Sequence, residues 1–272
     1  MNASAFSTYR IPTQRWHPLR RLQFLMIASA AMILSSCAGS RLPVPPIGGE
    51  KKFAVVGFNM DRHIGDRDEA AGGGAGGVLG AATAATQEVA GHQSTVDSLW
   101  ARFEAGLPGI LGATMVPASE VVANAKYKEV VADNSEHSGL VNLANKASYM
   151  QPSVGFGFIT SKDTAKLRAI STALGVKPLV LVENIVDYHL STGFAGVGRA
   201  KIGLASNLYL YTPEKGIYWS GRYTGESVDG CAMAAHVVAP SNFPQLAPQA
   251  VAPVLAKVAE DVQKGKGATP VP

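Results

Sequence analysis

Residues 52–58, Lys-Phe-Ala-Val-Val-Gly-Phe, are apolar with no polar alternation, and so are residues 179–186, Leu-Val-Leu-Val-Glu-Asn-Ile-Val. Such runs predict strands covered on both faces, central in a sheet. Between them, Ser94-Thr95 opens a helical pattern through Val96, Leu99, Trp100 and Phe103 that Pro108 and Gly109 are expected to close. A short strand is predicted over 114–117 and a helical stretch over 119–128, followed by a polar, weakly patterned region to Pro152. Ser161-Lys162-Asp163 starts a further helix with Leu167, Ile170 and Leu174 on one face and Gly175 as its C-cap.

Two later stretches behave differently. Residues 201–211 and 216–223 alternate in character, and Thr212-Pro213-Glu214-Lys215-Gly216 between them has hairpin chemistry, which predicts an antiparallel pair with one wetter face. Val251, Leu255, Val258 and Val262 make a last amphipathic helix. The expected order is β-α-β-α-β-β-β-α, an α/β class fold in which helices pack on a mixed sheet.

The first residues carry a different signal. A basic stretch ends at Arg20 and Arg21, an apolar run of 13 residues fills 22–34, and Ser35 and Ser36 precede Cys37. This is the anatomy of a secretory signal peptide. The run is short of the roughly 20 residues that span a bilayer. Leu34-Ser35-Ser36-Cys37 resembles the lipobox of bacterial lipoproteins. That resemblance implies cleavage after residue 36, lipid on Cys37 including a fatty acid such as palmitate, and, with Ala38 rather than aspartate next, sorting to the outer membrane with the protein facing the periplasm. The expected organisation is a signal peptide over 1–36, a Pro/Gly-rich tether over 37–50, a periplasmic α/β domain over 51–264 and a loose tail over 265–272. A Gly-rich insertion is expected over 61–93.

Charge then excludes a partner class. The chain holds 24 basic and 20 acidic side chains, but four arginines and no acid lie in the leader, so the mature protein has 20 of each. It lacks the long-range attraction a phosphate backbone needs, and nucleic acid is not an expected partner.

The candidate chemistry is sparse. Gly72, Gly76, Gly80 and Ala84 recur every fourth residue, either as a flexible loop or as a helix-packing or membrane segment; the latter would suit a homo-oligomeric channel. The Gly-rich run has neither a P-loop nor a dinucleotide fingerprint. The mature histidines, His63, His92, His137, His189 and His236, are scattered, so no metal or other cofactor is expected. Glu183 and Asp187 share a strand face, with a solvated or hydrogen-bonded pair the ordinary explanation, and no serine sits in a hydrolase elbow. Cys231 is expected to be a small buried thiol. Tyr209, Tyr211, Tyr218, Trp219 and Tyr223 concentrate aromatics on the predicted hairpin, either as a protein interface or as cross-strand packing.

The string Leu208-Tyr-Leu-Tyr-Thr-Pro-Glu-Lys-Gly-Ile-Tyr-Trp-Ser-Gly221, with residues 53–58 soon after the candidate lipidated cysteine and the helix-to-strand passage 167–186, resembles a periplasmic α/β domain. That domain occurs in the curli-secretion lipoprotein, the lipoprotein activators of penicillin-binding proteins and the amino-terminal domain of TolB. The resemblance implies a non-enzymatic role in binding or assembling another envelope component, with a subunit of an outer-membrane secretion channel as the alternative. An enzyme with a dispersed site is the third reading.

Overall fold

The computed structural model describes residues 50–67, 92–133 and 148–264. Cys37 and the series Gly72, Gly76, Gly80 and Ala84 lie outside them. Among the described residues nine strands form one mixed sheet with helices packed against it, an α/β fold. No helix among them is long and apolar enough to cross a membrane.

The spine of the sheet is a long antiparallel hairpin of β5 (Leu179–Phe194) and β6 (Val197–Thr212), paired from Leu179↔Tyr211 to Phe194↔Val197. On one side β1 (Lys52–Asp61) runs parallel to β5, and β2 (Gly65–Asp66) continues that column to Asp66↔Tyr188. Short strands β3 (Thr114–Met115) and β4 (Tyr149–Met150) flank β1. On the other side, β7 (Gly216–Glu226) and then β8 (Cys231–Ala234) pair with β6, and β9 (Val237–Val238) closes on β8.

One face of the sheet is covered along its length. Here α1 (His92–Leu111) sets Trp100 and Phe103 edge-on to Phe58 at 5.4 and 5.5 Å between ring centroids, and the alternate β5 residues Val180, Val182, Val186 and Tyr188 are buried. Such ring pairs add about 0.5–1.5 kcal/mol beyond their buried area. Beside α1, α6 (Val251–Gln263) follows the short α5 (Phe243–Leu246) and packs so tightly on β7 that a side chain on Gly225 would overlap the Ala250 carbonyl.

The second face is covered only near the start of β5. α2 (Ala118–Ala123) and α3 (Ala125–Ala132) are separated by Asn124, whose side chain caps Lys126 and Tyr127. α3 places the Tyr127 hydroxyl on the Val56 carbonyl at 2.8 Å, and α4 (Thr164–Leu174) covers Tyr211. Gly175, at φ 61°, caps α4 as expected.

Several boundaries differ from the sequence expectation. α1 continues through Pro108 because Leu107 and Leu111 bury on its inner side and Gly112, at φ 65°, supplies the left-handed stop. Three helices lie between β3 and β5, because Asn124 divides the helical stretch expected over 119–128 into α2 and α3. Residues 61–67, assigned to the Gly-rich insertion, instead finish β1 and form β2, and His92 at its other end begins α1. The strand expected over 179–186 is twice that length, because β5 continues past Val186 into a hairpin whose turn was not anticipated.

Candidate functional site

Strand parity puts Glu183, Ile185, Asp187 and His189 of β5 on the second face, with Ala205, Gly203, Lys201 and Arg199 of β6 and Arg222, Thr224 and Glu226 of β7. Beyond Glu183, which lies at the edge of α4, no helix covers these positions. Arg222, Thr224 and Glu226 are exposed and Ile185 is 38% exposed. The site is therefore an open sheet face.

At its centre lies an ion pair that the sheet has been shaped to receive. Arg67, just after β2, donates from Nη2 and Nε to the two carboxylate oxygens of Asp187 at 2.7 and 3.1 Å, and from Nη1 to Glu226 at 3.4 Å. The hydrogen bonds to Asp187 raise the Arg67 pKa above its ordinary value, against the opposing effect of burial. Gly203 lies beneath this pair, and any side chain there would overlap both the guanidinium and the Asp187 carboxylate. A glycine inside a strand commonly marks such close approach.

At the far end of the face the β5–β6 hairpin closes through Ala195 and Gly196, at φ 50° and 71°, which is type I′ geometry. The strands converge at Gly193↔Gly198, where a side chain on either would overlap the backbone of the other strand. The turn presents Phe194 at 86% exposure and Val197 at 58%, with Val228 at 77% on the neighbouring loop.

This turn is braced. The His236 N–H donates to the Gly196 carbonyl at 3.0 Å, its ring stacks where a Gly196 side chain would be, and its Nδ1 lies 2.8 Å from the buried Asp66 carboxylate. The Tyr188 hydroxyl donates to the His236 carbonyl at 3.0 Å. Ala235 and His236, at φ 50° and 62°, form a second turn of the same type resting on the first. The exposed Phe194 thus sits on an ordered platform.

Two open hollows of about 660 and 710 Å³ meet at Glu226 along this face. Their walls carry Arg67, Arg199, Lys201, Arg222 and Lys257 against Asp187, Glu226 and Asp229. Arg67 occupies Asp187 and Glu226, and Asp229 is held by Gln249 at 3.0 Å. Arg199 and Lys257 reach only the carbonyls of Gly230 and Thr224, at 3.0 and 2.6 Å, and Lys201 and Arg222 have no partner among the described residues. With five basic side chains against three carboxylates, the face is locally cationic.

Where α4 begins to cover the face, Tyr209 donates to Glu183 at 3.2 Å. Burial raises the Glu183 pKa, opposed by the hydrogen bonds from Tyr209 and the Ser161 backbone. Burial and the nearby Glu183 charge push the Tyr209 hydroxyl to about 12.

The aromatic cluster singled out in the sequence divides. Tyr211, Trp219 and Tyr223 are buried and do not form a surface. Tyr211 lies under α4, and Trp219 and Tyr223 face α6, where the Tyr223 hydroxyl donates to Asp261 at 3.1 Å. A bulge at Tyr218 shifts the β6–β7 register between Leu210↔Trp219 and Tyr211↔Ile217 and turns Trp219 inward. Tyr209 and Tyr218 are half-buried. Cys231 is buried with its thiol pKa raised by burial, and among the described residues no three His, Cys, Asp or Glu side chains gather as a cation site. Glu183 and Asp187 share a face as expected but have separate partners, Tyr209 and Arg67. Sequence reasoning missed Arg67, His236 and the hairpin tip; the spacing of Gly193, Gly196 and Gly198 was the available signal.

No protein family, no curated protein and no solved structure matches the chain.

Proposed function

We propose that the protein is anchored to the outer membrane by lipid on Cys37, faces the periplasm and binds or helps assemble another cell-envelope component without catalysis. The observation that carries this reading is the braced apolar tip at Phe194 and Val197. β1 enters the sheet beside the start of β5, whereas the tip is 15 residues further along that strand, about 50 Å at roughly 3.3 Å per residue. The tip thus stands at the end of the sheet opposite to where β1 enters, exposed to a protein partner.

A photo-reactive residue at position 194 in living cells tests this, with position 173 on the exposed side of α4 as control. Discrete protein adducts at 194 only, together with palmitate labelling abolished by Cys37→Ser, are the expected result. Equal patterns at both positions, or no lipid label on the wild-type chain, overturn it.

A further inference from the structure

The open face constrains what kind of partner it fits. Lys201 and Arg199 are alternate residues of β6, about 7 Å apart along one face, and Arg222 stands opposite Asn207, six residues beyond Lys201. The cations therefore stretch over about 26 Å from Arg199 to the level of Arg222, at roughly 3.3 Å per residue. A single small anion reaches only one end of such a row. The row is interspersed with exposed apolar groups, Phe194, Val197 and Val228 at the tip and Ile185 further back. A membrane surface would gather its cations around the inserted tip, but Arg222 and Lys257 lie far behind it. A nucleic acid would find only a weak general positive field, since the formal net charge is +4 over 272 residues.

We infer that the trough along β5, β6 and β7 binds an extended acidic segment of a partner protein, about eight residues long, with carboxylates and apolar side chains interleaved. An extended chain repeats its side chains every second residue, which matches the Arg199–Lys201 spacing. Its carboxylates meet Arg199 and Lys201 near the tip and Arg222 and Lys257 at the other end, while its apolar side chains rest on Phe194, Val197 and Ile185. The central Arg67–Asp187 pair, seated on Gly203, lies between the two cationic ends. This inference rests on the partner-binding reading above and adds the chemistry of the partner.

The test uses the full-length chain purified in nonionic detergent and a fluorescent twelve-residue peptide of Glu-Glu-Val-Val repeats, which sets glutamate and valine in turn along each face of an extended chain, followed by anisotropy at low and moderate salt. Controls are the lysine counterpart of the peptide, dextran sulfate and phosphatidylglycerol vesicles. Lys201→Glu and Arg222→Glu probe the two ends, and because neither side chain has a partner among the described residues, circular dichroism is expected to remain unchanged. The expected result is saturable binding of the acidic peptide, weakened about tenfold by either reversal and by added salt, and no binding of the lysine peptide. The inference is overturned if the acidic peptide does not bind, if both reversals leave its affinity unchanged, or if only dextran sulfate or the vesicles bind in a Lys201- and Arg222-dependent way. Adducts from position 194 that persist without peptide binding sink the acidic-segment inference alone. Peptide binding without such adducts sinks the partner-docking reading alone.

Discussion

The backbone N–H of His236 donates to the carbonyl of Gly196 at 3.0 Å, so the turn between β8 and β9 holds the turn between β5 and β6. A hairpin end carrying an exposed phenylalanine would otherwise fray, since terminal turns lie at the low-stability end of a fold. The brace converts Phe194 from a loose apolar side chain into part of a fixed surface, which lowers the ordering cost of docking.

Gly196→Ala tests the brace. The new methyl overlaps the His236 ring, and the position has φ 71°, so either the ring or the turn must move. The expected loss of stability is about 1–3 kcal/mol, read by chemical denaturation, with faster amide exchange confined to residues 193–198 and 235–237. Unchanged exchange at the tip would show that the two turns are independent.

The polar interior should be less forgiving than the surface. The Ser206 hydroxyl donates to the Asn184 side-chain carbonyl at 2.7 Å, Asn184 donates to the Asn59 carbonyl at 3.2 Å, and the Asn59 side chain donates to the Ile159 carbonyl at 2.8 Å. This chain ties β6 through β5 and β1 to the segment before α4. Ser206→Ala strands a buried amide oxygen and is expected to destabilise by about 1–3 kcal/mol. A loss well below that range in denaturant titration would mean that Asn184 finds another donor.

Glu183 gives a pH test. Its folded-state pKa is raised, chiefly by burial, so the folded state holds this proton more tightly than the unfolded chain. The penalty for ionising it is absent below the unfolded value, grows as pH rises toward the folded value and is complete above it. Glu183→Gln keeps an acceptor for Tyr209 and removes the charge. The melting temperature is expected to rise at pH 7, by about 2–4 °C per kcal/mol recovered, and to stay nearly unchanged at pH 4. A rise of equal size at both pH values would assign the effect to packing instead.

How far the sequence foretold this arrangement depends on whether the deciding contacts are local. β1, the start of β5, the Thr212–Gly216 turn and the Gly175 cap were legible because each rests on neighbours in sequence. The β5–β6 turn was not, because Phe194-Ala195-Gly196-Val197 lacks the Asn-Gly or Asp-Gly pair that usually announces type I′ geometry, and its flanking residues are apolar. The tyrosines show the limit of periodicity. Tyr209 and Tyr211 have the same parity, yet only Tyr211 is fully buried, because the edge of α4 falls between them. The bulge at Tyr218 likewise decides which way Trp219 points, and it follows from pairing with a distant strand. Arg67 lies 120 residues from Asp187, so nothing in its neighbourhood marked it as part of a site.

That long-range pair supplies the last test. Arg67 and Asp187 have side chains 42% and 23% exposed, so water screens their attraction despite good bidentate geometry. A double-mutant cycle with Arg67→Ala and Asp187→Ala is expected to give a coupling of about 0.2–1 kcal/mol, falling as salt is added. Repeated on a Gly203→Ala background, the same cycle should give almost none, because the methyl occupies the space in which the two groups meet. If the coupling survives there, Gly203 is not what seats the pair. If it disappears while the peptide affinity of the open face also drops, the glycine, the ion pair and the trough act as one device.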